Sequence, residues 1–350
     1  MWGDMETGML LWALSSFFIS FVLCVGIIVS SRRFGVFIDS GTSHKPQRFH
    51  TQATPRAGGI GIFSAFALLI LYAYFTQISL GINTQTLIIL LGSGIIFASG
   101  LIEDFSGNLS PKMRLIMQCV AAFGVCAWID VYLKDLSLGF TLPYLIGLFF
   151  TTFALVGVSN AINIIDGFNG LASGVCLLIL AGIMYVAYDV KDVEIFYCAL
   201  VLFFGILGFF VRNFPLGKIF LGDGGAYFLG FILGMLLVLL TQRHTESVSA
   251  FFGLSIMIYP VWEVVFSIWR KRFKRKMSAT KPDKVHLHML VFKRITHSNK
   301  NTSLILLAYN VPFVMLSVCF YQHTWLLLAF CGIFALLYGY FYARLIRFGM

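Results

Sequence analysis

Charge is scarce in this chain. Asp, Glu, Lys and Arg make up 11% of its 350 residues, whereas a soluble globular domain carries about a quarter. C-x-x-C pairs are absent, and the seven cysteines (Cys24, Cys119, Cys126, Cys176, Cys198, Cys319 and Cys331) all fall inside apolar runs. That argues against a disulfide framework or a cysteine metal site and reads as small buried hydrophobes. The first eight residues hold Asp4 and Glu6 but no Lys or Arg, so the start lacks the positive region of a cleaved signal peptide. Strict apolar–polar alternation is also missing, which excludes a transmembrane β-barrel. No polar stretch is long enough for a separate soluble domain, and no internal repeat is evident.

Long apolar runs are abundant. The chain is 59% hydrophobic with a mean hydropathy of +0.88. A span needs roughly 20 mostly apolar residues to cross about 30 Å of hydrocarbon. Eleven such runs are predicted, over residues 9–30, 57–76, 85–102, 113–133, 141–158, 171–188, 194–211, 225–241, 248–269, 303–321 and 324–343. The expected fold is all-α and polytopic, with about eleven transmembrane helices. One membrane domain spans residues 1–350, with a basic loop at 270–302 inside it.

Lys and Arg predict the orientation. With the N-terminus outside and the C-terminus in the cytoplasm, 22 of the 25 basic residues fall on the inner side; Lys134, Lys191 and Arg243 stay outside. This follows the positive-inside rule. The net charge of +10 therefore calls for no nucleic acid. The cluster RKRFKRK at 270–276 reads first as an anchor facing anionic lipid, with the holding of a phosphorylated lipid as the other reading.

Organised polar patterns fall on the predicted inner side. They are HKPQRFHTQATPRAGGI (44–60), EDFSGNLSPKMR (103–114), NAINIIDGFNGL (160–171), FLGDGGAY (220–227) and KPDKVHLHML (281–290). Glu103, Asp104, Asp166 and Asp223 each stand at the inner mouth of a span. A charge at hydrocarbon level faces a polar cavity and marks function. Converging carboxylates disfavour one another's charge, and a hard dication relieves this; Mg²⁺ is held by one or two carboxylates plus substrate phosphates, while the other reading pairs each acid with a loop Lys or Arg. Gly222, Gly224 and Gly225 around Asp223, and Gly167 and Gly170 around Asp166, precede helices and suggest phosphate approach to backbone N–H groups. The other reading for glycine is a tight turn or helix packing, and GGIGI at 58–62 reads as packing. His286 and His288 form an H-x-H, read as a proton-transfer or phosphate-binding pair, with zinc or a solvated loop as alternatives. Glu263 has two readings, a partner of the site or of the basic cluster.

The joint pattern resembles the polyprenyl-phosphate N-acetylhexosamine-1-phosphate transferase family of membrane enzymes. It consists of E-D before L-S-P-K-x-R-L (109–115), N-x-x-N-x-x-D-G-x-x-G-L, F-L-G-D-G-G and P-D-K-x-H-L-H (282–288), and it runs from about residue 45 to 294. The layout resembles the initiating transferases of O-antigen and enterobacterial common antigen synthesis, in the bacterial inner membrane with a cytoplasm-facing site. Two departures stand out: Glu103 where Asp is commoner, and Met289 where a third histidine is frequent.

The resemblance implies an Mg²⁺-dependent reaction, with Mn²⁺ as the alternative ion. A UDP-N-acetylhexosamine gives its sugar-1-phosphate to a polyprenyl phosphate such as undecaprenyl phosphate, and UMP leaves. The implied partners are these two substrates, the membrane and, as a further expectation, a second copy in a homodimer. Asp223 and Asp166 are the implied metal ligands. Asp104 and Glu103 complete the catalytic acids, with Asp104 handling the acceptor phosphate or its proton. Asn163 orients phosphate or nucleotide and Phe220 stacks on uracil. Lys45, Lys112, His286 and His288 are candidate phosphate or sugar contacts. Direct attack by the lipid phosphate is preferred over a covalent phospho-sugar intermediate on an Asp. A muramoyl-pentapeptide-type transferase is the alternative within the family. A transporter of lipid-linked glycans is the rival class, but its polar site belongs near mid-membrane and often comes with repeats.

Overall fold

The computed structural model describes residues 5–34, 38–39, 54–78, 80–274 and 285–347. Its helices are α1 (Met5–Phe34), α2 (Gly58–Thr76), α3 (Thr84–Ser106), α4 (Pro111–Trp128), α5 (Tyr144–Ile165), α6 (Leu171–Asp189), α7 (Val193–Asn213), α8 (Gly222–Arg243), α9 (Phe251–Ile256), α10 (Ile258–Trp269), α11 (Leu287–Val291), α12 (Asn299–Cys319) and α13 (Thr324–Arg347). A two-residue antiparallel ladder pairs β1 (Ile38–Asp39) with β2 (Thr54–Pro55) ahead of α2. Among the described residues nine helices are long and apolar enough to cross a membrane: α1, α2, α3, α5, α6, α7, α8, α12 and α13. The chain is a multi-pass, all-α membrane protein.

The other two predicted spans take a different form. The run at 113–133 becomes α4, which has 18 residues and stops at Trp128. The run at 248–269 is broken at Met257 into α9 and α10. Pro260 accounts for the break, because its ring clashes with the carbonyl four residues earlier, and α9 ends at that residue, Ile256. The basic segment is more than a loop. Arg270–Lys274 continues α10 as a π-helical turn, and Leu287, Met289, Leu290 and Val291 of α11 are buried.

Local chemistry sets several helix ends. Asn83 and Thr86 form a capping box at the start of α3. Ser110 caps α4 with Pro111 in its first turn, and Asp192 accepts the Ile195 N–H to open α7. These side chains satisfy N–H groups that a helix leaves unpaired. The start of α8 has no such cap in its own sequence.

Helix α8 is the axis of the molecule, buried along its apolar length and packed by α3, α5, α2 and α6. Small residues allow this closeness. A Cβ on Gly59 would lie 2.3 Å from Gly225 Cα, and one on Gly100 would lie 2.4 Å from Gly224 N. The peripheral helices expose large apolar side chains such as Phe18, Phe75, Val120, Phe153 and Trp325, the surface that hydrocarbon requires. At the end where α3 and α7 begin and α8 finishes, Arg243 bonds Glu194 at 2.9 Å and His244 lies 3.1 Å from Asp192. That network ties the three helices together, away from the acids described next.

Candidate active site

Backbone contacts bring the distant motifs together first. Gly58 N–H donates to Phe220 O at 2.8 Å, Gly59 N–H to Leu221 O at 2.9 Å, and Phe220 N–H to Pro55 O at 2.8 Å. The start of α2 is thereby stitched to the start of α8. Gly222 has φ +82°, and a Cβ there would meet Arg56 O at 2.6 Å and an Asp104 oxygen at 2.7 Å, so the turn accepts glycine alone.

Asp104, near the end of α3, supplies the cap that α8 lacks. Its Oδ1 accepts the Asp223 N–H and its Oδ2 the Gly224 N–H, both at 3.0 Å. A carboxylate there satisfies two unpaired donors and lies at the positive end of the helix dipole. The Asp223 side chain then accepts from Arg114 Nη1 at 2.6 Å and Arg56 Nη2 at 3.2 Å. One carboxylate thus holds cations from two other segments.

Asp166 ends α5. Burial pushes its carboxyl up from 3.8 to about 7; the Arg56 charge opposes this, and the charges of Asp223 and Asp104 add to it. Asn163, one turn earlier, donates to Tyr227 Oη at 3.1 Å, linking α5 to α8. Asn160 donates to Gln118 Oε1 at 2.8 Å. The N–H groups after Asp166 are taken by protein: Asn169 N donates to Asn299 Oδ1 and Gly170 N to Asn213 Oδ1, both at 2.6 Å.

The histidine pair packs against this same turn. The His286 and His288 rings stack 5.3 Å apart with an interplanar angle of 2°. His288 meets the Phe168 ring edge-on at 5.7 Å, and a Cβ on Gly167 would lie 3.8 Å from His288 Nε2. His286 Nδ1 lies 2.9 Å from Glu263 Oε1. Glu263 therefore partners the site, not the basic cluster.

Asp104, Asp166, Asp223, Asn163, His286 and His288 thus meet at one end of the bundle. The other candidate residues make different contacts. Glu103 accepts the Leu109 N–H at 2.9 Å, so its recorded bond closes its own turn. Lys112 is exposed, and Arg114 carries the contact instead. The two are two positions apart on α4, hence about 200° around the helix. Phe220 is half-buried and bridges Pro55 and Gly58 through its backbone. Gly224 and Gly225 serve helix packing, and the anion at the α8 N-terminus is the Asp104 side chain. Arg270 and Lys271 are buried, which removes them from a lipid-facing anchor. Lys45 lies outside the described residues. Arg56 and Arg114 stand in the polar patterns at 44–60 and 103–114, and the signal that points to them is a cation on each segment flanking an acid motif.

Among the described residues, no three His, Cys, Asp or Glu close around one point as a metal cage. Asp223 and Asp166 carry hard oxygens of the kind that Mg²⁺ takes together with substrate phosphates.

Residues 86–241 match the family model described as Glycosyl transferase family 4. The chain is 29% identical over 284 residues to a probable undecaprenyl-phosphate N-acetylglucosaminyl 1-phosphate transferase of Bacillus subtilis (strain 168), covering 78% of this chain and 75% of that protein. It is 28% identical over 346 residues to the undecaprenyl-phosphate alpha-N-acetylglucosaminyl 1-phosphate transferase of Salmonella typhimurium, covering 95% and 91%. The protein of that name from Escherichia coli (strain K12) is 27% identical over 319 residues, covering 86% and 83%.

Proposed function

We propose that this chain, which matches the Glycosyl transferase family 4 model over residues 86–241, moves N-acetylglucosamine-1-phosphate from a UDP-sugar to undecaprenyl phosphate, releasing UMP. The product starts a surface polysaccharide. What carries this reading is the convergence of Asp104, Asp166, Asp223, Arg56 and Arg114 at one end of the helix bundle, where a water-soluble and a lipid-bound substrate can meet. The relatives' names supply the sugar and the lipid.

We place this end at the cytoplasmic side of the bacterial inner membrane, in an eleven-span layout with the N-terminus outside. The bias of basic residues supports it, with α4 and the broken α9–α10 segment counted as spans.

Asp223 and Asp166 would hold Mg²⁺, which when bound neutralises phosphate oxygens and stabilises the leaving phosphate. Arg56 and Arg114, held on Asp223 in the free protein, are placed to turn toward the diphosphate, for which guanidinium forks are suited. Asp104 holds Asp223 at the head of α8 through both of its oxygens and is also the proposed handler of the acceptor phosphate or its proton. An oxygen of the lipid phosphate attacks the phosphorus attached to the sugar; the bridging P–O bond breaks, and UMP leaves with that electron pair.

The test is UMP release by detergent-purified protein given UDP-N-acetylglucosamine, undecaprenyl phosphate and Mg²⁺. We expect turnover, and we expect Asp223→Asn to reduce it by at least about a hundredfold, as for lost electrostatic groups in other active sites. Near-normal rates in that variant would sink the metal assignment. No turnover with any UDP-N-acetylhexosamine would sink the reaction.

A further inference from the structure

Glu263 lies on α10 and is 0% exposed. A buried carboxylate demands partners, and its partners here are specific. Oε1 accepts from the Leu287 N–H at 3.2 Å and lies 2.9 Å from His286 Nδ1. Oε2 accepts from Tyr338 Oη at 2.9 Å. Seven residues along, Arg270 donates to Val285 O at 2.9 Å and to Tyr342 Oη at 3.0 Å, with its guanidinium 5.3 Å from the Tyr342 ring centroid. His286 is therefore held at its ring, at the carbonyl before it and at the N–H after it. The holding groups come from α10, its π-helical continuation and α13.

This exceeds what a solvated loop needs, and it has a chemical consequence. An ionised carboxylate only accepts hydrogen bonds. Facing Glu263, the Nδ1 of His286 must carry the hydrogen, and Nε2 is the nitrogen left for a ligand. Its ring stacks on His288, which lies over the Gly167 turn, so one imidazole separates it from the Asp166 loop. We infer that Glu263, steadied by Tyr338, is a positioning residue that fixes the tautomer of His286 and presents its Nε2 to an oxygen of the phosphosugar. The role of Nε2 rests on the proposed function; the tautomer does not.

Imidazole ¹⁵N spectra of the full-length protein in micelles test the tautomer, with His286→Gln identifying the signal. We expect Nδ1–H in the wild type and a gain of the Nε2–H form in Glu263→Gln, whose amide both donates and accepts. In turnover assays Glu263→Gln should lose about 10- to 100-fold in kcat, as partners that orient a functional imidazole do. KM for the UDP-sugar should change by less than about threefold in that variant, since binding and orientation are separable losses. Glu263→Asp, which restores the charge, should recover part of the loss. A wild-type His286 in the Nε2–H form, or Glu263→Gln with unchanged kcat, overturns the inference. Should Glu263→Gln not fold, Tyr338→Phe leaves the carboxylate in place and is expected to lower kcat less; an unchanged kcat there counts against the proposal. The spectra need no substrate, so a protein without transferase activity would refute the reaction and still report the tautomer.

Discussion

His288 shows how much a single side chain responds to its surroundings. It is 0% exposed, and among the described residues neither ring nitrogen has a hydrogen-bond partner. Burial pushes its pKa down from 6.5 to about 3; the Glu263 charge opposes this and the His286 charge adds to it. The sign of the pH effect follows. Above 6.5 neither the folded nor the unfolded chain protonates this ring, and its share of stability is intact. As the pH falls from 6.5 toward 3, the unfolded chain gains a proton that the folded one refuses, and stability is lost. The thermal midpoint of His288→Phe in micelles should therefore fall less between pH 7 and pH 5 than that of the wild type. Equal falls would move the acid sensitivity elsewhere. At this scale the sequence reveals that a histidine stands beside an acid motif. It does not reveal burial, which depends on Phe168 and the Gly167 turn.

Among elements, the α3–α8 contact decides whether the site exists. Asp104 reaches the α8 N-terminus because Gly100 lets the two backbones touch. A Cβ at Gly100 would lie 2.5 Å from the Asp223 carbonyl carbon, whereas one at Gly124 of α4 meets nothing within 4 Å. Gly100→Ala should cost about 1–3 kcal/mol, the usual range for overpacking, and should lower turnover by shifting Asp104 off its cap. Gly124→Ala should be neutral or gain up to about 1 kcal/mol from helix propensity. Thermal unfolding of both variants in one detergent checks the contrast, and equal midpoints would refute the close-contact account. Helix positions were legible because each is a long apolar run. The break between α9 and α10 was not legible in hydropathy, since Pro260 lies inside such a run and hydropathy alone does not register a missing N–H.

For the whole molecule, the two polar ends make a directional prediction. Lys112 and Lys191 are both exposed, one at the start of α4 beside the acids, the other in the turn before α7. In the proposed orientation, Lys191→Cys in intact cells reacts with an impermeant thiol reagent and Lys112→Cys reacts only after the membrane is opened, each measured against the parent chain. The reverse pattern would invert the topology.

Much of the architecture follows from composition and order. Twenty-residue apolar runs have no stable place in water, and scarce charge collected on one side sets a direction. The same reasoning flagged Asp104, Asp166, Asp223, His286 and His288, because ionisable groups beside hydrocarbon are costly without a use. Tertiary structure decided the partners. Asp104 and Asp223 stand 119 positions apart, and Arg114, not Lys112, faces the acid because of the turn of one helix. Gly224 and Gly225, beside an acid at a helix start, form part of the contact surface of α8. Hydrogen bonds between side chains depend on which helix faces pack together, and no local pattern encodes that.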